Sequence, residues 1–336
     1  MFYDCKECGD SFVSLRSLHA HIKKHGKFLG DYYVKNYARK DKLTGELIPF
    51  KKYEQYFGAD FINKKNMEKW CKTAPRSEVK KYIIKTFKEK KEAKGLKGGP
   101  PSIYLQTAGM PDVDLCKAVF GSYGEACERF GMLPVFSEQL PNEFKNDYSD
   151  TLILVDTREQ KPLYFKHSES LKLDVGDYAV GGDLYDYTFV DRKSYQDFCA
   201  TVTNGYARFL KELERCRSMG CVLFVVVETS FDEMWAANRA GYKKFNLNYV
   251  YHRMREIQAD YSDCCQFVFS GSRCKSEEII PKILVLGKKL WAVDVQYFWD
   301  KQLKEDGLGN RNTETKTRVR RYKSDNSRKR GIFRRN

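Results

Sequence analysis

The stretch Thr151-Leu152-Ile153-Leu154-Val155-Asp156-Thr157-Arg158-Glu159 places four aliphatic residues in a row and ends on three charges. It reads as a buried strand that delivers Asp156, Arg158 and Glu159 at its C-terminal end. Downstream comes Leu171-Lys172-Leu173-Asp174-Val175-Gly176-Asp177-Tyr178, and then a strand over 184–193 that contains Val190-Asp191-Arg192-Lys193. Side chains alternate along a strand, so Asp191 and Lys193 share a face. Asp177 precedes Asp191 by fourteen positions, which is room for a hairpin that brings the two carboxylates together.

Two carboxylates and a lysine on adjoining strands suit metal-dependent cleavage of a phosphodiester. Carboxylate oxygens hold a hard cation such as magnesium, which polarises phosphate and acidifies water. A lysine orients or deprotonates that water, or offsets developing charge. An Asp followed by Asp-x-Lys is the PD-(D/E)xK nuclease pattern, although taken singly each acid also suits a loop cap or a surface ion pair. The neighbouring residues add to it. Val155-Asp156-Thr157-Arg158-Glu159, Gly176-Asp177-Tyr178 and Asp191-Arg192-Lys193-x3-Asp197 together resemble the XPF-type structure-selective nuclease domain. The resemblance spans about residues 150–305, with a helix over 205–217 and a strand over 221–227. It implies metal ligands at Asp177 and Asp191, support from Asp156, Lys193 as catalytic lysine, and Arg158, Glu159, Arg192 and Asp197 shaping the site. It also implies an α/β fold, a restriction-endonuclease-like mixed sheet flanked by helices, and leaves a homodimer through this domain open. Two departures stand out. Asp191 occupies the position of the family's usual Glu, one methylene shorter. The family's tandem helix-hairpin-helix DNA grip is absent, and a helix near 275–303 and a basic tail take its place.

Outward from this core, residues 5–25 read Cys5-x2-Cys8-x3-Phe12-x5-Leu18-x2-His21-x3-His25. Two thiolates on a hairpin and two imidazoles one helical turn apart can close a tetrahedron around zinc, with Phe12 and Leu18 as a small core. The pattern matches a ββα two-Cys/two-His zinc finger over 1–27. His19 falls on the outer helix face, away from the ligands. Of Ser14, Arg16, Ser17 and Ala20, the helix positions that would face bases, Arg16 alone can make a bidentate base contact. A protein-contact role for the finger stays open.

Region 28–135 is rich in Lys and Tyr, and 28–76 carries no assignable pattern. Val79, Ile83, Ile84 and Phe87 recur at helical spacing over 77–94, with Ser77 as expected N-cap. Short helices follow over 102–108, 112–120 and 122–130, where Ser122 and Glu125 form a capping box. The stretch 118–132 resembles a helix-turn-helix-like repeat, at 100–133, found beside nuclease domains of phage and homing endonucleases.

Residues 311–336 hold eleven Lys+Arg against two acids, a net +9 within the whole chain's +15. Such a tail, with Arg318, Arg320 and Arg321, is expected to be disordered until it meets a phosphate backbone. The charge favours nucleic acid over a membrane, and no apolar run is long enough to span one. Eleven cysteines, an odd number, with no visible secretory signal suit free thiols in a reducing, intracellular, cytoplasmic setting (the host cytoplasm if phage-encoded). The whole reads as a DNA endonuclease of phage or mobile-element type, using magnesium or manganese, with one structural zinc. Two alternatives remain: a structure-selective nuclease for branched DNA in repair or recombination, and an inactive DNA-binding protein on a nuclease fold.

Overall fold

The computed structural model describes residues 2–41, 45–53, 56, 64–239 and 245–305. The tail, with Arg318, Arg320 and Arg321, lies outside the described residues. An antiparallel hairpin of β1 (Tyr3–Asp4) and β2 (Ser11–Phe12) leads to α1 (Leu15–Lys24). Ser14 caps α1 by accepting the Ser17 N–H. Helix α2 (Leu29–Asn36) packs back on this unit, burying Tyr32 and Tyr33 with Cys5, Leu18 and Ile22. The Tyr32 hydroxyl accepts the Lys6 N–H at 2.9 Å. So short a segment buries little apolar area alone, and residues after 27 share its core. His19 is half-buried rather than on the outer face, its Nε2 2.8 Å from the Tyr33 hydroxyl.

Among the described residues five helices follow: α3 (Lys64–Thr73), α4 (Arg76–Lys94), α5 (Ser102–Ala108), α6 (Val113–Phe120) and α7 (Tyr123–Phe130). They share a core in which Phe87 stacks on Phe130 at 4.1 Å. Asp112 and Ser122 cap α6 and α7 by accepting the Leu115 and Glu125 N–H groups. Ser77 does not cap α4. The helix begins at Arg76, directly after Pro75, whose fixed φ suits helix entry.

The remaining chain builds one mixed sheet in the order β4-β3-β5-β6-β7-β8. Its strands are β3 (Leu152–Asp156), β4 (His167–Leu171), β5 (Tyr178–Val180), β6 (Thr188–Lys193), β7 (Val222–Val227) and β8 (Cys265–Phe269). Only β5 runs against its neighbours. The C-terminal ends of β3, β6, β7 and β8 thus line one edge, where Asp156 and Lys193 emerge. Helices α8 (Tyr195–Thr201), α9 (Tyr206–Met219), α10 (Phe231–Arg239) and α11 (Leu247–Asp260) supply the core on one face. Helices α12 (Arg273–Leu286), α13 (Lys288–Trp291) and α14 (Val295–Glu305) supply the other. The expected α/β mixed sheet flanked by helices is present.

Two expected elements differ. The strand over 184–193 starts at Thr188, because 182–184 form a 3-10 turn and Tyr187 takes φ +67°. The single helix near 275–303 is three: the first ends where Gly287 takes φ +45° against the Asp186 carboxylate, the second ends at Trp291, and Asp294 caps the third by accepting the Tyr297 N–H. The helical unit docks on the α/β unit through partly buried polar contacts. Asp294 accepts the Ser102 N–H at 2.5 Å and hydroxyl at 2.9 Å, and the Tyr297 hydroxyl donates to Asp114 at 2.6 Å. No helix among the described residues is long and apolar enough to cross a membrane.

Candidate active site

The hairpin of β5 and β6 pairs Tyr178 with Val190, so Asp177 and Asp191 flank that pair at the catalytic edge. Gly176 makes this possible. It sits at φ +67°, and a Cβ there would lie 2.8 Å from the Val190 carbonyl oxygen. The Asp177 backbone N–H donates to that same carbonyl at 2.8 Å, and the Arg192 N–H donates to Asp177 Oδ2 at 2.8 Å. Asp191 is 3 % exposed. Its Oδ1 accepts the Lys193 ammonium at 2.5 Å, and its buried Oδ2 has no hydrogen-bond partner. An orphaned buried carboxylate oxygen is costly. Beside a second carboxylate it forms an all-oxygen donor set that fits a hard divalent cation.

The electrostatics match this arrangement. Burial, and then the Asp191 charge, push Asp177 up to about 8. Burial pulls Lys193 down, but the Asp191 carboxylate outweighs it and leaves the ammonium raised and charged.

Asp156 sits apart in function. Its Oδ1 accepts the Arg158 N–H and Nε–H, both at 2.7 Å, and its Oδ2 accepts Arg158 Nη2 at 2.9 Å and the Leu173 N–H at 2.7 Å. The Arg158 hydrogen bonds hold it down at about 2 despite burial. Both its oxygens are engaged, so it braces the 156–173 loop and has little capacity left for a cation. Arg158 is accordingly committed to Asp156 rather than aimed at a ligand.

Arg192 is likewise enclosed, ion-paired to Glu159 and to Glu228, both at 3.1 Å; Glu228 also pairs with Arg273 at 3.0 Å. This buried chain of charges locks β6 to the ends of β3 and β7. Asp197 is exposed and accepts the Ser194 hydroxyl at 2.6 Å in the first turn of α8. It acts there as part of a helix cap.

One acid escaped the sequence reading. Glu212 on α9 is half-buried, and it is raised by burial first and by the charge of Asp191 second. It therefore adds a third acid within the electrostatic reach of the Asp177 and Asp191 pair. The signal was available: α9 buries Phe209, Leu213 and Cys216, and Glu212 is an acid on that apolar stripe.

At the N-terminal unit Cys5, Cys8, His21 and His25 place one donor atom each within 4.8 Å of one another. Cys8 Sγ lies 3.0 Å from His21 Nε2, and Cys5 Sγ lies 3.7 Å from His25 Nε2. Two thiols and two imidazoles are the donors of a tetrahedral zinc site. Arg16 is exposed on the first turns of α1.

No curated protein matches the chain. Among solved structures, XPF from Aeropyrum pernix in complex with DNA is similar with 19 % identity and a TM-score of 0.30, over 40 % of this chain and 63 % of that one. XPF from Aeropyrum pernix is similar with 19 % identity and a TM-score of 0.32, over 45 % and 72 % of the two chains. Residues 155–283, from the charged end of β3 into α12, match the ERCC4 domain.

Proposed function

We propose that the chain is a metal-dependent DNA endonuclease that hydrolyses phosphodiester bonds at the edge formed by Asp177, Asp191 and Lys193. The observation that carries this is the buried, partnerless Oδ2 of Asp191 beside Asp177 and Lys193. The match of 155–283 to the ERCC4 domain supports it. Asp177 and Asp191 would hold magnesium or manganese, which when bound polarises the phosphate and acidifies a water. Lys193, held charged, orients the attacking water and offsets negative charge as it develops. Glu159, Arg192 and Glu228 fix the end of β6, and Asp156 with Arg158 fixes the loop after β3. Cys5, Cys8, His21 and His25 would hold one structural zinc, and the finger and the helical unit would dock DNA. Pairing of two copies through the α/β unit, and an origin in a phage or mobile element acting in host cytoplasm, belong to the same reading.

The test is cleavage by purified full chain of linear, nicked, flap and four-way DNA, with and without magnesium. Cleavage that requires the cation and vanishes in Asp191→Asn is expected. Binding without cutting on every substrate would leave a DNA-binding protein on a nuclease fold. Preference for flaps or junctions would assign the branched-DNA alternative, and sedimentation as a monomer would remove the pairing.

A further inference from the structure

We propose that the loop after β3 is a contact surface for one DNA strand beside the cut, with Lys161 on a backbone phosphate and Tyr164 stacked on an unpaired base. The inference rests on the reading of the chain as a nuclease that acts on DNA. The loop is held by its backbone. The Lys161 N–H donates to Glu159 Oε1 at 2.6 Å, and Arg273 Nη2 donates to the carbonyl oxygens of Lys161 at 2.9 Å and Pro162 at 2.6 Å. The Leu163 N–H donates to the Tyr178 hydroxyl oxygen at 3.0 Å, and the Tyr164 N–H donates to Glu277 Oε1 at 3.1 Å. Leu163 is buried, and Phe165 meets Tyr178 edge-on with ring centres 5.5 Å apart. Between them Tyr164 is turned out, 78 % exposed. Lys161 is exposed too, and its ammonium makes no ion pair with a described residue.

An unbroken series of contacts ties this loop to the catalytic edge. Glu159 Oε1 also accepts Arg192 Nη2 at 3.1 Å, and the Arg192 N–H donates to Asp177 Oδ2 at 2.8 Å. From the other side Arg273 pairs with Glu228 at 3.0 Å, and Glu228 pairs with Arg192 at 3.1 Å. Glu159, Lys161, Arg273, Glu228 and Arg192 thus close a ring, and Arg192 of that ring holds Asp177. The acids around the loop are engaged by other groups: Glu159 and Glu228 by arginine, Glu277 by the Tyr164 N–H. None of them is spent on the Lys161 ammonium.

A loop held through backbone groups leaves its side chains uncommitted. An aromatic ring kept in water on an already ordered loop forgoes burial, and it loses little further freedom when a ligand arrives. A ring beside a cation is the pairing that binds single-stranded nucleic acid, the ring stacking on a base and the cation meeting a phosphate. A base inside a duplex is stacked on both sides and offers no open face. Tyr164 therefore favours DNA that is unpaired near the cut, whereas Lys161 meets phosphate in either form.

The deciding experiment measures affinity of the full chain for flap DNA and for intact linear duplex against salt, in an Asp191→Asn background that stops cutting. The proteins compared are the parent, Lys161→Gln, Tyr164→Ala and Tyr164→Phe. Substitution at either position keeps the backbone contacts, so melting temperatures are expected to match the parent's. Lys161→Gln should lower the slope of log affinity against log salt by about 0.7–0.9 on both DNAs. Tyr164→Ala should weaken flap binding at least about 5-fold, the lower end of what one stacked base contributes, and leave duplex binding unchanged. Tyr164→Phe keeps the ring and should bind as the parent does. An unchanged slope in Lys161→Gln overturns the surface, as does a Tyr164→Ala loss that is absent, equal on the two DNAs, or matched by Tyr164→Phe. Each of these leaves the nuclease reading in place. A fall in melting temperature at either position makes that side chain structural and overturns the surface as well. A parent chain that binds neither DNA overturns both readings.

Discussion

Asp191 gives one oxygen to the Lys193 ammonium at 2.5 Å and keeps the other buried without a partner. The charge that holds Lys193 protonated is thus the same charge that would draw in a cation. Asp191→Asn should lower cleavage by at least ~100-fold, the lower end of what positioned charges supply, while DNA binding persists. Asp191→Glu reaches one methylene further into the same gap and should retain measurable cutting. Cleavage rates of the two variants side by side check this, and parental activity in Asp191→Asn would make the carboxylate structural.

Asp177 predicts a pH dependence. Its proton is retained up to about 8 because burial and the Asp191 charge disfavour the anion. A raised folded value means that stabilisation is fully present below the ordinary carboxylate value of ~3.9 and is lost as pH rises through about 8. Cation binding should do the reverse, strengthening with pH up to about 8 and releasing a proton. Calorimetric titration of magnesium in buffers of different ionisation enthalpy measures that proton, and Asp177→Asn should abolish both the proton and the binding.

Asp156 predicts the opposite balance. Its lowered value gives stability that is present above ~3.9 and lost as pH falls towards 2. Asp156→Asn leaves a buried site facing Arg158 and Leu173 with the wrong hydrogen-bonding groups, at a cost of ~3 kcal/mol. Asp177→Asn removes the cost of keeping this buried acid protonated above its ordinary range and should raise the melting temperature of cation-free protein. Thermal unfolding of both variants at one pH separates a bracing carboxylate from a binding one.

The N-terminal donors should bind one zinc per chain. Metal analysis of the full chain is expected to find it, and of Cys8→Ala with His21→Ala to find none. Because the finger shares its core with Tyr32 and Tyr33, that double variant should also expose α2 to proteolysis, while cleavage persists at reduced affinity.

Much of this was written locally in the chain. The aliphatic run before Asp156, the alternation through Val190-Asp191-Arg192-Lys193 and the fourteen-residue return from Asp177 required no knowledge of distant neighbours. Strand period and hairpin length are properties of adjacent residues. The Cys5, Cys8, His21 and His25 spacing and the cap at Ser122 were legible for the same reason. What each charge does was decided only by the tertiary structure. The resemblance separated Asp156 as support from Asp191 as ligand, but the contacts behind that difference are tertiary: Leu173 and Arg158 occupy both oxygens of the first, and Lys193 occupies one of the second. Glu212 feels the Asp191 charge because α9 packs across β7. These partners are separated along the chain by distances no periodicity encodes, and a carboxylate or a cation acquires its role from whatever packing leaves against it.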